Sequence, residues 1–217
     1  MTEKTTATPM QRPRRLIGVI GTHTEVGKTW VTSRVIASLR KRGLTVAARK
    51  PVQSYAPGSG PTDAEQLAAA SGETPEQVCP LHRCYELAMA PPMAADALQR
   101  EPILLDALLQ EIAWPAHVDI GFVETVGGAR SPLAHDGASI DLLERLPVNE
   151  VLLIADAGLG TLNAVRLTLA CIAPLPVTVF LNRYVAADDL HRRNRDWLLR
   201  QDGIDARTDL GELAQSF

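Results

Sequence analysis

The run Gly21-Thr22-His23-Thr24-Glu25-Val26-Gly27-Lys28-Thr29 holds the residue types that cradle a phosphate chain. Glycines let backbone N–H groups turn inward around anionic oxygens. A helix beginning at Lys28 would aim its positive end at the same anion. Lys28 brings a cation for the β- and γ-phosphates, and Thr29 a hydroxyl for Mg2+. Thr22 occupies the place where the strict phosphate-loop pattern has its first glycine, so the loop reads G-x5-G-K-T. A second cation, Lys50, precedes Pro51, while Asp63 opens an Ala-rich stretch and Glu124 ends an apolar one. On residue types alone each has a plain alternative. Lys50 could be a surface lysine, Asp63 a helix cap, and Glu124 a carboxylate satisfied at a strand end. Asn182 could merely end a strand, and Asn163 could be a first-turn helix residue without a ligand.

Such residues need elements to hold them. Leu16 to Ile20 reads as a buried strand, and Lys28 to Arg42 as a helix with Val31, Val35, Ile36 and Leu39 on one face and Gly43 ending it. Further strands are expected at Thr45 to Ala48, Ile120 to Glu124, Val151 to Ala155 and Val177 to Leu181, the last ending at Asn182. Helices are expected at Asp63 to Ser71, Met93 to Leu98, Ile103 to Ile112, Ile140 to Leu146, Thr161 to Ile172 and Leu190 to Leu199. Gln53 to Thr62 reads as a loop, residues 73 to 92 as irregular, and Gly127-Gly128 as a turn, with Leu210 to Phe217 weakly patterned. The alternation of strands and helices implies an α/β fold of the P-loop NTPase type. It would have a mostly parallel sheet, helices on both faces, and one domain over residues 16–217. The polar residues 1–15 are expected to be a disordered tail without the apolar core of a secretory signal.

Composition narrows the function. Of 217 residues, 46% are hydrophobic, but only three Phe, three Trp and three Tyr occur, so the core must be aliphatic, as parallel sheets favour. A net charge of -3 gives no global drive toward nucleic acid or anionic membrane. No apolar run is long enough to span a bilayer. Cys79, Cys84 and Cys171 make no disulfide framework and suit reduced thiols in the cytoplasm. Cys79, His82 and Cys84 cluster without a fourth zinc ligand, so a loop with buried thiols is the simpler expectation.

Gly-Thr-x-Thr-Glu-Val-Gly-Lys-Thr at 21–29, followed by Lys-Pro-Val-x-Ser at 50–54, resembles the dethiobiotin synthase family. The likeness continues in order through Asp63, Glu124 with Gly127-Gly128 and Pro132-Leu133, Gly158 to Asn163, Asn182, and Leu210-Gly211-Glu212. It implies joining of CO2 to 7,8-diaminopelargonate with closure of a ureido ring, while ATP becomes ADP and phosphate. It implies that Lys28, Lys50 and Thr24 are catalytic and that Ser54 lies near the carbamate. Mg2+ would be held by Thr29, Asp63 and Glu124. The nucleotide would be met by Gly21 through Thr29 (excluding His23), by Glu124, and by Asn182 on the adenine side. The substrate would be met by Ser54, Lys50, Gly127, Gly128 and Gly160, Thr161, Leu162 and Asn163, the last four donated across a homodimer interface. Two places depart from the family. Thr125 stands where the family has glycine after the acidic residue; if that glycine serves close backbone approach to phosphate or substrate, the branched side chain would crowd the site. Around Ala90-Pro91 most of a Pro-Thr-Ser-Pro segment is missing. These departures leave open a diverged P-loop ATPase or a nucleotide-binding protein without this activity. A switch ATPase would carry a second lysine near the loop's start, where this chain has Thr22.

Overall fold

The computed structural model describes residues 12–217. Strands β1 (Arg15–Gly21), β2 (Val46–Arg49), β3 (Ile120–Gly128), β4 (Glu150–Asp156) and β5 (Val177–Asn182) form one parallel sheet in the order β2-β3-β1-β4-β5. The helices are α1 (Lys28–Lys41), α2 (Asp63–Ser71), α3 (Pro75–Val78), α4 (Pro91–Ala97) and α5 (Leu105–Glu111). They continue with α6 (Ser139–Arg145), α7 (Thr161–Ile172), α8 (Asp189–Asp202) and α9 (Leu210–Gln215). Side chains alternate across the sheet, as strand geometry demands. Ile17, Val19, Phe122, Leu152 and Ile154 pack with α1, α2 and α9 on one face. Val151, Leu153 and Ala155 pack with α6 and α7 on the other, where Leu16 and Val123 meet α4 and α5. The expected α/β class therefore holds, with an aliphatic core. Among the described residues no helix is long and apolar enough to cross a membrane.

Parallel strands bring all their C-terminal ends to one edge of the sheet, where α/β folds bind ligands. Gly21, Arg49, Gly128, Asp156 and Asn182 end the five strands there, and the loops that follow share that edge. Buried Arg49 pairs with Glu73 at 2.7 Å, and Glu73 also accepts the Ala48 N–H at 2.8 Å. This pairing pins the edge strand β2 just before Lys50.

Several local expectations change. β3 runs beyond Glu124 to Gly128, because Gly128 pairs with Gly21; the expected Gly127-Gly128 turn is a strand end. The expected loop from Gln53 opens with a two-residue strand, Gln53–Ser54, paired in parallel with Cys84–Tyr85. The expected irregular stretch over 73–92 contains α3 and a 3-10 turn at Leu81–Arg83. The weakly patterned end folds as α9, capped by Asp209, whose side chain accepts the Glu212 N–H. Of the expected tail, residues 1–11 lie outside the described residues. The Arg14 N–H donates to Val118 O at 3.0 Å, and Arg15 opens β1.

Thr62, not Asp63, caps α2. Thr62 Oγ1 accepts the Glu65 N–H, and Glu65 Oε2 accepts the Thr62 N–H at 2.6 Å, a reciprocal capping box. Asp63 is thereby free to face inward from the first turn. Thr62→Ala should lower unfolding free energy by about 1 kcal/mol, read from the urea midpoint; an unchanged midpoint would remove the cap from the account.

Candidate active site

The phosphate loop is braced from several strand ends. Val26 is fully buried, and its carbonyl accepts from Asn182 Nδ2 at 2.8 Å. The Arg183 guanidinium donates to Glu25 O at 2.8 Å and to Asp156 Oδ2 at 2.9 Å. The Thr22 N–H donates to Ile154 O at 2.9 Å. Glu25 holds φ +63°, a left-handed conformation uncommon for a side-chain-bearing residue. Gly27 adopts φ +89°, and a Cβ there would lie 2.3 Å from Asn182 Nδ2, so only glycine fits. Asn182, expected at the adenine side, is thus a buried brace beneath the loop. Arg183 escaped sequence reading, because nothing in an arginine after a strand marks it as a loop clamp.

Behind the loop four groups converge. Thr29 Oγ1 lies 2.7 Å from Asp63 Oδ1 and 2.6 Å from Glu124 Oε1. Lys50 Nζ lies 2.7 Å from Asp63 Oδ2, 2.9 Å from Glu124 Oε1 and 3.2 Å from Thr125 O. Lys50 is 1% exposed, so it is no surface lysine. A hydroxyl carries one proton, so Thr29 can donate to only one of its two carboxylate neighbours. Glu124 Oε2, also buried, has no hydrogen-bond partner among the described residues. A hydroxyl and two carboxylates crowded in this way fit a hard cation such as Mg2+, which takes oxygen ligands and completes its shell with water and phosphate.

The two lysines differ electrostatically. Burial, and then the nearby Lys50 charge, bring Lys28 down to about 8 despite Glu124 and Asp63. Burial alone would lower Lys50 too, but Asp63 and Glu124 outweigh it and hold Lys50 above its ordinary value. Burial opposes ionisation of Asp63, yet Lys50, Thr29 and Lys28 keep its carboxyl below the usual range.

Lys28, Thr29, Lys50 and Asp63 line a cavity of about 920 Å³ together with Thr24, Ser54 and Gly127, while Glu124 and Gly128 are not among its lining residues. The Ser54 hydroxyl donates to Met89 O at 2.6 Å, tying the Lys50–Ser54 segment to the divergent stretch before α4. That stretch, Ala88 through Pro91, also lines the cavity. Gly160, Thr161, Leu162 and Asn163 are not among the lining residues; they open α7 beside Leu159, which is 92% exposed. Thr125 does not crowd the cavity. It is fully buried, outside the cavity lining, and its hydroxyl donates to Val19 O at 2.9 Å.

The sequence profile of a family described as an AAA domain matches residues 15–191. An ATP-dependent dethiobiotin synthetase BioD of Anaeromyxobacter sp. (strain Fw109-5) is 36% identical over 178 residues, covering 79% of this chain and 78% of that protein. A protein of the same name from Anaeromyxobacter dehalogenans (strain 2CP-C) is 37% identical over 176 residues, with the same coverage. The chain belongs to the ATP-dependent dethiobiotin synthetase family. A third member, from Haloferax mediterranei, is 36% identical over 180 residues, covering 81% of this chain and 75% of its own. Among solved structures, chloroplast FtsY from Physcomitrella patens superposes with a TM-score of 0.51 at 16% identity, covering 95% of this chain and 64% of that one. That likeness concerns the fold alone.

The lysines should respond oppositely to removal. Lys50→Met would leave Asp63 and Glu124 unpaired and should cost about 3–5 kcal/mol, as breaking a buried pair does. Lys28 has a lowered folded value, so between about pH 8 and 10.5 the unfolded chain binds more protons and stability rises with pH. Lys28→Met should therefore flatten that rise, leave the ligand-free melting temperature equal or higher, and abolish the increase given by ATP. Equal destabilisation by both substitutions would contradict this assignment.

Proposed function

We propose that the protein is an ATP-dependent dethiobiotin synthetase, closing the ureido ring of dethiobiotin from 7,8-diaminopelargonate and CO2. The observation that carries the reading is the meeting of Lys50 with Thr29, Asp63 and Glu124 directly behind a phosphate loop. In this reaction one amine of the substrate captures CO2 as a carbamate and loses a proton. A carbamate oxygen then attacks the γ-phosphorus, ADP departs, and the second amine displaces phosphate from the resulting anhydride. Two anions must approach each other, which requires cations fixed in advance. Lys28 and the amides of the 21–29 loop would hold the triphosphate, with Thr22, Glu25 and Val26 shaping its path. Lys50 would stand between the γ-phosphate and the carbamate, and Ser54 and Thr24 would orient the reacting oxygen.

Thr29, Asp63 and Glu124 would hold Mg2+, the acidic pair exchanging its contacts with Lys50 for the ion. The ion would neutralise charge on the phosphates. Asn182 would remain a brace while bordering the adenine. Gly127 and Gly128 would let the backbone lie against the substrate. Gly160, Thr161, Leu162 and Asn163 would receive the substrate carboxylate at the N-terminus of α7. In the homodimer that the family resemblance implies, a second copy of the chain would supply them. Leu159 and Leu167, 92% and 62% exposed, support a homodimer there. A cytoplasmic setting suits the free cysteines.

Phosphate release from MgATP should depend on both the diamine and bicarbonate, and chelation of Mg2+ should abolish it. Lys50→Arg should keep nucleotide affinity within about threefold while lowering turnover at least about a hundredfold. Release independent of the diamine would point instead to a switch-type ATPase.

A further inference from the structure

Thr125 does two jobs in opposite directions. Its carbonyl accepts from Lys50 Nζ at 3.2 Å, and its hydroxyl donates to Val19 O at 2.9 Å on the neighbouring strand β1. It sits where the sheet register breaks. Val19 pairs with Glu124 and Gly21 with Gly128, so Ile20 alone faces Thr125, Val126 and Gly127. A bulge of this kind interrupts the ladder and re-aims the groups within it. At the start of this bulge the side chain of Thr125 donates to Val19 O, on the last regularly paired residue before the break, while its peptide oxygen turns to the lysine. Of the three acceptors around Lys50 Nζ, Asp63 and Glu124 are carboxylates on rotatable side chains. Among the described residues only Thr125 O belongs to the backbone of the sheet, and the hydroxyl bond to Val19 adds a side-chain anchor that holds Thr125 against β1.

We propose that Thr125 is a positioning residue for Lys50, fixing through its hydroxyl the carbonyl that aims the ammonium. The inference rests on Lys50 acting in the reaction proposed above. It gives the residue at this departure from the family pattern a purpose in this chain. A side chain that looked obstructive links the sheet to the reacting cation from outside the cavity.

Thr125→Val keeps the shape and removes the donor. It should lower kcat by about tenfold to a hundredfold, as small misplacements of a reacting group do, while KM for ATP stays within about twofold. Thr125→Ser, which restores a hydroxyl, should recover most of the loss. A second readout does not depend on turnover. The chain has four lysines, Lys4, Lys28, Lys41 and Lys50. Carbon-13 labelling therefore gives a simple side-chain NMR spectrum in which the Lys50 signal is assigned by its loss in Lys50→Arg. That signal should move in Thr125→Val and return in Thr125→Ser; Thr125→Ala serves if the valine variant does not fold. Wild-type kcat together with an unmoved Lys50 signal would overturn the proposal. If the wild-type protein shows no diamine-dependent turnover, the functional reading fails, and the NMR comparison still decides whether Thr125 positions Lys50.

Discussion

One ammonium group shared between two carboxylates and a peptide oxygen organises the functional edge of this protein. Lys50 is almost completely removed from water, so its charge must be met in full by neighbouring groups. Its partners come from different elements: Asp63 from the first turn of α2, Glu124 and Thr125 from β3. Satisfying Lys50 therefore fixes how the helix docks on the sheet and where β3 bulges. Thr29 extends the knot into α1 and thus to the phosphate loop. The rest of the edge supports this arrangement. The Lys50 N–H donates to Val78 O at 2.8 Å, and Gln53 Oε1 accepts the Ala64 N–H at 3.0 Å, holding the start of α2 against the chain that follows Lys50.

The second lysine is held in a different electrostatic state. Lys28 is buried, and its nearest bond within the loop is a long one, 3.4 Å to His23 O. Lys50 repels it, and its hold on a proton is weakened accordingly. A triphosphate would supply the anion that Lys28 lacks. It would also compete for Lys50 with Asp63 and Glu124, whose oxygens are the hard donors that a divalent cation takes. Nucleotide and metal would thus redistribute one set of charges, and the protein supplies the geometry in advance.

How much of this was legible from residues follows physical lines. The phosphate loop, the five strands and α1, α2 and α7 are readable, because period and turn chemistry are local. Lys50, Asp63 and Glu124 could be nominated only through the ordered family resemblance; nothing local says that they meet. The cap of α2 reads as Asp63 on residue type alone, whereas Thr62 forms it, because Glu65 three residues on completes a reciprocal box with Thr62. The end of β3 was missed because Gly127-Gly128 has the composition of a turn, while its pairing with Gly21 is tertiary. The Gln53–Ser54 and Cys84–Tyr85 strands are too short to show any period. Thr125 was misjudged for a related reason: a bulge decides which way a side chain points, and sequence alternation cannot see one.

The most direct test of the account is a crystal structure with a non-hydrolysable ATP analogue, Mg2+ and the diamine. The account predicts a terminal phosphate lying between Lys28 and Lys50, with the metal on the Thr29, Asp63 and Glu124 side. A triphosphate lodged elsewhere, or Lys50 still bound to both carboxylates and far from the terminal phosphorus, would contradict it.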